Sequence, residues 1–160
     1  MFALAGVILG VGHPLLDQQP WAGGAPRGSA DPTWAWVLAG ITCFVLQYWS
    51  SGGLDARMLG ASLAGLPALD ALLLATGALH WWVFDGTQQG LGMACAAAVS
   101  GPLLEVLLIN QLHLYSYAHP QLFGVPTWIP WVYFCGSAAV GNLGRKVSSE
   151  LLRPRQQRPS

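Results

Sequence analysis

Residues 106–144, between Glu105 and Arg145, read VLLINQLHLYSYAHPQLFGVPTWIPWVYFCGSAAVGNLG and give the clearest indication of the fold class. It contains no Asp, Glu, Lys or Arg, and residues 32–54 and 86–104 are also free of these charged types. A helix needs about 20 mostly apolar residues to cross the hydrocarbon core of a bilayer. Only helices and closed barrels satisfy their backbone hydrogen bonds there. The charge-free runs therefore predict membrane-spanning helices.

The composition of the whole chain agrees with this prediction. Charged residues make up 9% of the sequence and hydrophobic residues 53%, whereas an average soluble domain is about 25% charged. The 160 residues leave room for one domain, and a formal net charge of zero argues against a nucleic-acid-binding face. The cysteines lie in apolar runs without metal-ligand spacing, so we interpret them as packing residues: Cys43, Cys95 and Cys135.

Five apolar segments predict an all-α, polytopic membrane helical bundle. The predicted spans cover residues 1–16, 33–50, 58–84, 93–112 and 128–143. The third is interrupted by Pro67 and Asp70, and residues 17–32 form a polar linker rich in Gly and Pro. Two small-residue pairs, Gly6 with Gly10 and Ser137 with Gly141, allow helices to approach closely. Packing inside the bundle is the first interpretation of these pairs, and homo-oligomerisation is the alternative.

The basic residues predict the orientation of the chain. Five of the seven lie between Arg145 and Arg158, so the positive-inside rule places the C-terminus in the cytosol. We therefore predict a transmembrane domain over residues 1–145 and a basic cytosolic tail over 146–160. Counting back through five spans puts Met1 on the lumenal side and leaves room for a further helix before it.

Two acidic residues fall inside predicted spans. An acid at mid-bilayer costs roughly 2.5 to 3.5 kcal/mol on insertion scales, so Asp70 and Glu105 could form the proton or cation site of a small transporter. The other interpretation is structural, with both acids near helix ends or hydrogen-bonded in the bundle. Aliphatic neighbours surround each acid in the sequence and leave it isolated, which favours the structural interpretation.

The remaining polar residues indicate no catalytic, metal or cofactor site. Four histidines are spread along the chain without an i, i+4 pair or a nearby ligand cluster, and we interpret them as interfacial hydrogen-bonding residues: His13, His80, His113 and His119. The sequence has no G-x-S-x-G elbow and no P-loop. The chain is therefore predicted not to be an enzyme.

Three segments carry a resemblance to a known family. WWVFDGTQQGLG begins at Trp81, INQLHLYSYAHP at Ile109 and WIPWVYFCGSAAVGNLGR at Trp128. In order and spacing these segments closely resemble the Insig (insulin-induced gene) family of endoplasmic-reticulum membrane proteins. A weaker resemblance extends upstream through GHPLLD at residues 12–17 and through residues 44–55.

The resemblance implies a function as well as a fold. Insig proteins are six-helix adaptors that bind a sterol among their helices and engage the sterol-sensing-domain proteins Scap and HMG-CoA reductase. The five spans here would correspond to the family's second to sixth. Asp85 resembles the aspartate that the family needs for partner engagement, and Trp81 and Trp82 precede it. We therefore predict a cytosolic partner-binding site at these three residues, at which replacement of Asp85 leaves folding unchanged.

The predicted ligand site lies on the second span. Phe44 resembles a phenylalanine that lines the family's sterol cavity, and Gln47 and Tyr48 follow on the same span. The polar residues that contact sterol in the family have no counterpart in residues 66–74. For this reason the predicted ligand is either a sterol, as the family resemblance implies, or a diacylglycerol-like lipid of the kind that bacterial relatives bind. Two functions stay open at this point, a lipid-responsive adaptor of the endoplasmic reticulum and a cation-coupled transporter.

Overall fold

The computed structural model describes residues 2–24, 26–27, 30–63 and 65–152. Its five helices are α1 (Phe2–Asp17), α2 (Trp34–Asp55), α3 (Ala68–Phe84), α4 (Gln88–Asn110) and α5 (Ile129–Leu152). A short antiparallel hairpin, β1 (Ser62–Leu63) and β2 (Leu66–Pro67), precedes α3. The helices occupy the places of the five predicted spans, and the prediction of an all-α bundle is confirmed.

Helix α5 lies at the centre of the bundle and packs against each of the other four helices. The closest approach is to α1, where a Cβ atom on Gly144 would lie 1.8 Å from the carbonyl oxygen of Gly10. A Cβ atom on Gly141 would lie 2.5 Å from the ring of His13. Gly10 and Gly141 therefore serve packing inside the bundle, whereas a Cβ atom on Gly6 would meet nothing within 4 Å.

Threonine caps begin two of the helices. The Trp36 N–H donates to the Thr33 hydroxyl oxygen over 3.2 Å at the start of α2, and the Gly90 N–H donates to Thr87 over 3.0 Å at the start of α4. Such caps satisfy backbone donors that have no partner within the helix. They fix the first turns of two helices that have no acidic residue there.

The third helix is shorter than the sequence predicts. Residues 58–67 were expected to open this span, but the described residues of this range form a turn and the hairpin, and α3 begins at Ala68. Gly60 and Gly65 both have φ of 81°, a left-handed conformation that a helix does not contain. Pro67 then stands directly before the first helical residue. Helix α2, in contrast, runs on to Asp55 rather than ending near residue 50.

The outer surface of the bundle is apolar. Among the described residues, α2 and α4 are long and apolar enough to cross a membrane, while α1 and α3 are apolar but shorter. Large hydrophobic side chains face outward on three helices: Ile8, Val45, Trp49, Val99 and Leu103. Outward apolar side chains suit contact with lipid.

The last helix extends past the predicted end of the fifth span at residue 143. Residues 146–152, which were assigned to the tail, continue α5, and residues 153–160 lie outside the described part of the chain. Arg145 and Lys146 are both buried. Lys146 Nζ lies 3.0 Å from a carboxylate oxygen of Asp31 and 3.4 Å from one of Glu150. These ion pairs neutralise the charge of Lys146 where α5 packs against the rest of the bundle.

Candidate functional site

A groove between α2 and α3 forms a cavity with a volume of about 690 Å³. Most of its wall is apolar: Leu46 and Trp49 on α2, and Leu72, Leu79, Val83 and Phe84 on α3. Leu46, Trp49 and Leu79 are more than half exposed and stand at its mouth. The α2–α3 groove is therefore open to the side on which lipid would lie.

Four polar residues also line this groove, and three of them are hydrogen-bonded to backbone. The Gln47 amide donates to the Leu73 carbonyl over 3.2 Å. The Ser50 hydroxyl donates to the Gln47 carbonyl over 3.0 Å, and the Thr76 hydroxyl donates to the Leu72 carbonyl over 2.9 Å. These donors are already engaged within or between the two helices.

His80 is the fourth polar residue of the groove, and it differs from the others. Its side chain is buried and stacks on Phe84 with ring centroids 4.7 Å apart. Its Nε2 atom has no hydrogen-bond partner among the described residues. Both His80 and His13 are buried among the helices, and their predicted interfacial hydrogen bonding stays a prediction.

The structure brings one of the three predicted ligand residues into the groove. Gln47 lines it. Phe44 instead packs against α5, where its ring would come within 3.0 Å of a Cβ atom on Gly136. The Tyr48 side chain is exposed on the outer surface of α2. The sequence placed all three on one helix but did not fix the rotation of that helix.

The predicted partner residues surround the turn between α3 and α4. Trp82 is half exposed, and the Arg27 guanidinium lies 4.2 Å from its ring centroid. The Trp81 indole N–H donates to the Thr87 carbonyl over 3.2 Å. Asp85, in contrast, is fully buried. A partner cannot touch its carboxylate in this conformation, so any role in binding would be indirect.

Asp85 belongs to a buried ion-pair group that we call the Arg145 cluster, made of Asp17, Asp85 and Arg145. Arg145 Nη1 donates to Asp85 over 2.9 Å, and Arg145 Nε donates to Asp17 over 2.7 Å. One guanidinium thus bridges two carboxylates from the ends of α1 and α3. The His13 Nε2 atom lies 3.8 Å from the Asp85 carboxylate, and its Nδ1 pairs with the Leu9 carbonyl.

Backbone and amide groups complete this cluster. The Asn142 amide donates to the Phe84 carbonyl over 2.8 Å, and the Gln89 amide donates to Asp17 over 3.0 Å. The N–H of Thr87 donates to the Asp85 carboxylate over 3.0 Å, and its hydroxyl donates to the same oxygen. The Arg27 N–H donates to the Asp85 carbonyl over 2.9 Å. The cluster therefore ties the ends of α1 and α3 and the start of α4 to the interior of α5 and to the first linker.

The Arg145 cluster was not predicted, although the sequence contains a signal for it. The predicted topology puts the 17–32 linker, the Asp85 turn and the C-terminus on the same side of the membrane. Asp17, Asp85 and Arg145 each flank an apolar run on that side. Opposite charges at the same depth of a bundle are candidates for pairing.

The two acids inside the predicted spans are hydrogen-bonded rather than isolated. Asp70, in the first turn of α3, accepts from the Thr127 hydroxyl over 2.9 Å and from the Trp131 indole over 3.3 Å. Glu105 accepts from the hydroxyls of Tyr117 and Tyr133 over 2.5 and 2.7 Å.

These two acids have separate surroundings. Burial, reinforced by the hydrogen bond to Glu105, raises the pKa of Tyr117 well above its ordinary value, so this tyrosine stays a donor. No described residue hydrogen-bonds to both Asp70 and Glu105. No group of His, Cys, Asp and Glu in the described ranges has the geometry of a metal site.

Comparison with known proteins accounts for this architecture. The family described as Insulin-induced protein (INSIG) matches residues 1–148. The Insulin-induced gene 1 protein of Danio rerio is 30% identical over 144 residues, which cover 90% of this chain and 53% of that protein. The proteins of the same name from Bos taurus and Homo sapiens are each 28% identical over 90% of this chain and 48% of their own length.

The chain thus spans about half the length of the curated relatives it matches. No solved structure matches it. Proteins of the matching family are polytopic, helical membrane proteins and non-enzymatic regulators. The family match covers α1 to α4, α5 as far as residue 148, the groove and the Arg145 cluster, and the chain belongs to the insulin-induced protein (INSIG) family.

Proposed function

We propose that this protein is a lipid-responsive adaptor of the endoplasmic-reticulum membrane. It binds a sterol or a diacylglycerol-like lipid and, when loaded, engages sterol-sensing-domain membrane proteins such as Scap and HMG-CoA reductase to regulate sterol synthesis. The α2–α3 groove is the observation that carries this proposal. A cavity of about 690 Å³ with a mostly apolar wall has the size and character of small-molecule sites.

The position of the groove suits a ligand that arrives from the bilayer. Leu46, Trp49 and Leu79 stand exposed at its mouth, where lipid tails would lie in a membrane. An apolar ligand can enter sideways without crossing a polar layer. A partner helix packed over the same mouth would bury the ligand further, which would make partner binding depend on the ligand.

Helix α3 connects the groove to the predicted partner surface. It supplies one wall of the groove and ends at Phe84, next to Asp85 and the exposed ring of Trp82. A ligand changes partner binding only to the extent that it prefers one conformation over another. In this proposal the ligand fixes the distance between α2 and α3, and the Arg145 cluster holds the end of α3 in the position at which the partner binds it.

A transporter based on Asp70 and Glu105 receives less support. Ion translocation needs polar groups that continue across the membrane. Each carboxylate is instead paired with its own donors from α5 and the preceding connection. The open apolar groove is the feature expected of an adaptor.

Photo-crosslinking with sterol and diacylglycerol probes tests the proposal. Thr76→Trp places a large ring in the groove, and Leu103→Trp adds the same ring on the outer surface of α4 as a control. We expect Thr76→Trp to reduce probe labelling and ligand-dependent capture of a sterol-sensing-domain protein several-fold, and Leu103→Trp to leave both unchanged. Equal labelling of the wild type and both variants would show that the ligand binds elsewhere.

A further inference from the structure

We propose that Nε2 of His80 is the recognition atom of the groove and that it binds the free hydroxyl group of an otherwise apolar lipid. The proposal rests on the α2–α3 groove being the ligand site, as proposed above. The proposal specifies which chemical group of the ligand the groove recognises.

The unpaired state of this atom carries the argument. His80 is 5% exposed, and its Nε2 has no hydrogen-bond partner among the described residues. Buried polar groups are nearly always hydrogen-bonded, and an unpaired one is costly. Gln47, Ser50 and Thr76, the other polar residues of the groove, already donate to backbone carbonyls. His80 thus lines the groove with a polar atom that has no partner. Because Nε2 is enclosed in this conformation, the imidazole would turn toward the groove to meet a ligand.

The chemistry of the imidazole selects a hydroxyl group. In the neutral ring, Nε2 is either a donor or an acceptor, depending on the tautomer. A hydroxyl can donate and accept, so it complements both forms. The groove contains no Lys or Arg among its lining residues, and a phosphate or carboxylate headgroup would be buried there without a countercharge. A ligand with one hydroxyl and a large apolar body fits this lining.

The position of His80 also sets the direction of the ligand. The groove follows α3 from Leu72 to Phe84, a distance of about 18 Å at the rise of an α-helix. His80 lies in the part nearest Phe84 and the Arg145 cluster. The hydroxyl would therefore point toward the charged end of the bundle, and the apolar body would lie along Leu79 and Leu72. Both a sterol 3-hydroxyl and the free hydroxyl of a diacylglycerol have this chemistry.

Paired ligands distinguish these two sources. We would measure binding to the full chain in nanodiscs by competition with a photoreactive lipid, using 5α-cholestan-3β-ol against 5α-cholestane and 1,2-dioleoylglycerol against its 3-acetyl ester. In one of the two pairs, the wild type should bind the hydroxyl-bearing member about five- to tenfold more tightly, as expected for one hydrogen bond. The pair that shows this preference identifies the lipid class.

Substitutions then assign the preference to His80. His80→Phe should abolish it by weakening only the hydroxyl-bearing ligand, and His80→Gln, which retains a donor and an acceptor, should restore part of it. Ser100→Ala on α4 removes a hydroxyl that is bonded to the Ala96 carbonyl outside the groove, and it should leave the preference intact.

A preference that survives in His80→Phe would overturn the assignment while leaving the groove as the ligand site. Equal binding of both members of both pairs by the wild type would also overturn it, even if the His80→Phe variant fails to fold. If none of the four lipids binds to the wild type, the proposed function itself is refuted.

Discussion

Replacement of Asp85 by Asn tests the structural role of the Arg145 cluster. Breaking a buried ion pair by removing one partner costs about 3 to 5 kcal/mol, because the remaining charge stays buried. Arg145 would retain its contact of 2.7 Å with Asp17, so we expect the lower end of this range, about 3 kcal/mol. For a chain of this size that loss corresponds to a decrease in Tm of roughly 6 to 12 °C.

Thermal unfolding of the detergent-purified protein measures this loss, and two variants provide the comparison. Arg145→Met leaves both carboxylates unpaired and should be the more damaging change. Glu150→Gln breaks a partly exposed contact of 3.4 Å with Lys146 and should cost less than about 1 kcal/mol. If Asp85→Asn melts with the Glu150→Gln control, the cluster does not stabilise the fold, and the earlier expectation that Asp85 can be replaced without harm would stand.

Three other predictions concern packing, the buried acids and the partner surface. Gly144→Val should prevent folding because the valine side chain would overlap the backbone of Gly10. Gly92→Ala should fold, because a Cβ atom at residue 92 would meet nothing within 4 Å. The yield of monodisperse protein distinguishes the two variants. Glu105→Gln should lower the free energy of unfolding by no more than about 1 kcal/mol, because the tyrosine hydroxyls that pair with Glu105 can donate or accept. Liposomes that contain the wild type or this variant should show no proton flux. A flux in the wild type that the variant abolishes would favour the transporter. Trp82→Ala should reduce capture of a sterol-sensing-domain protein without lowering the Tm, and undiminished capture would remove Trp82 from the partner surface.

The sequence predicts the helices well where apolar length alone decides them. The charge-free runs located α2, α4 and most of α5, because exclusion of charge from a span is a strong constraint. Residues 58–67 misled the prediction because they are as apolar as a helix, although Gly60 and Gly65 adopt left-handed conformations. The end of α5 was also missed, since hydropathy treats Arg145 as the edge of a span whether or not it is paired.

The site was less predictable because it depends on how helices are rotated. Helix α2 is apolar around most of its circumference, so the sequence does not say which residues face α5 and which face the groove. Phe44, Gln47 and Tyr48 were grouped because Phe44 resembles a cavity residue of the family and the other two follow on the same span. Of these three residues, only Gln47 lines the groove. The unpaired state of His80 depends on neighbours from other elements and leaves no trace in the spacing of residues.

The central position of α5 has a consequence for biosynthesis. Of the five described helices, α5 is the last to leave the ribosome, yet each of the others packs against it. Helices α1 to α4 are therefore inserted into the bilayer before their main packing surface exists, and at that stage Asp17 and Asp85 have no Arg145 to pair with. Insertion and assembly are separate stages for membrane helices. Assembly of this bundle is thus delayed until translation of α5 is complete, and a chain that stops before Arg145 would leave both acids without their cation.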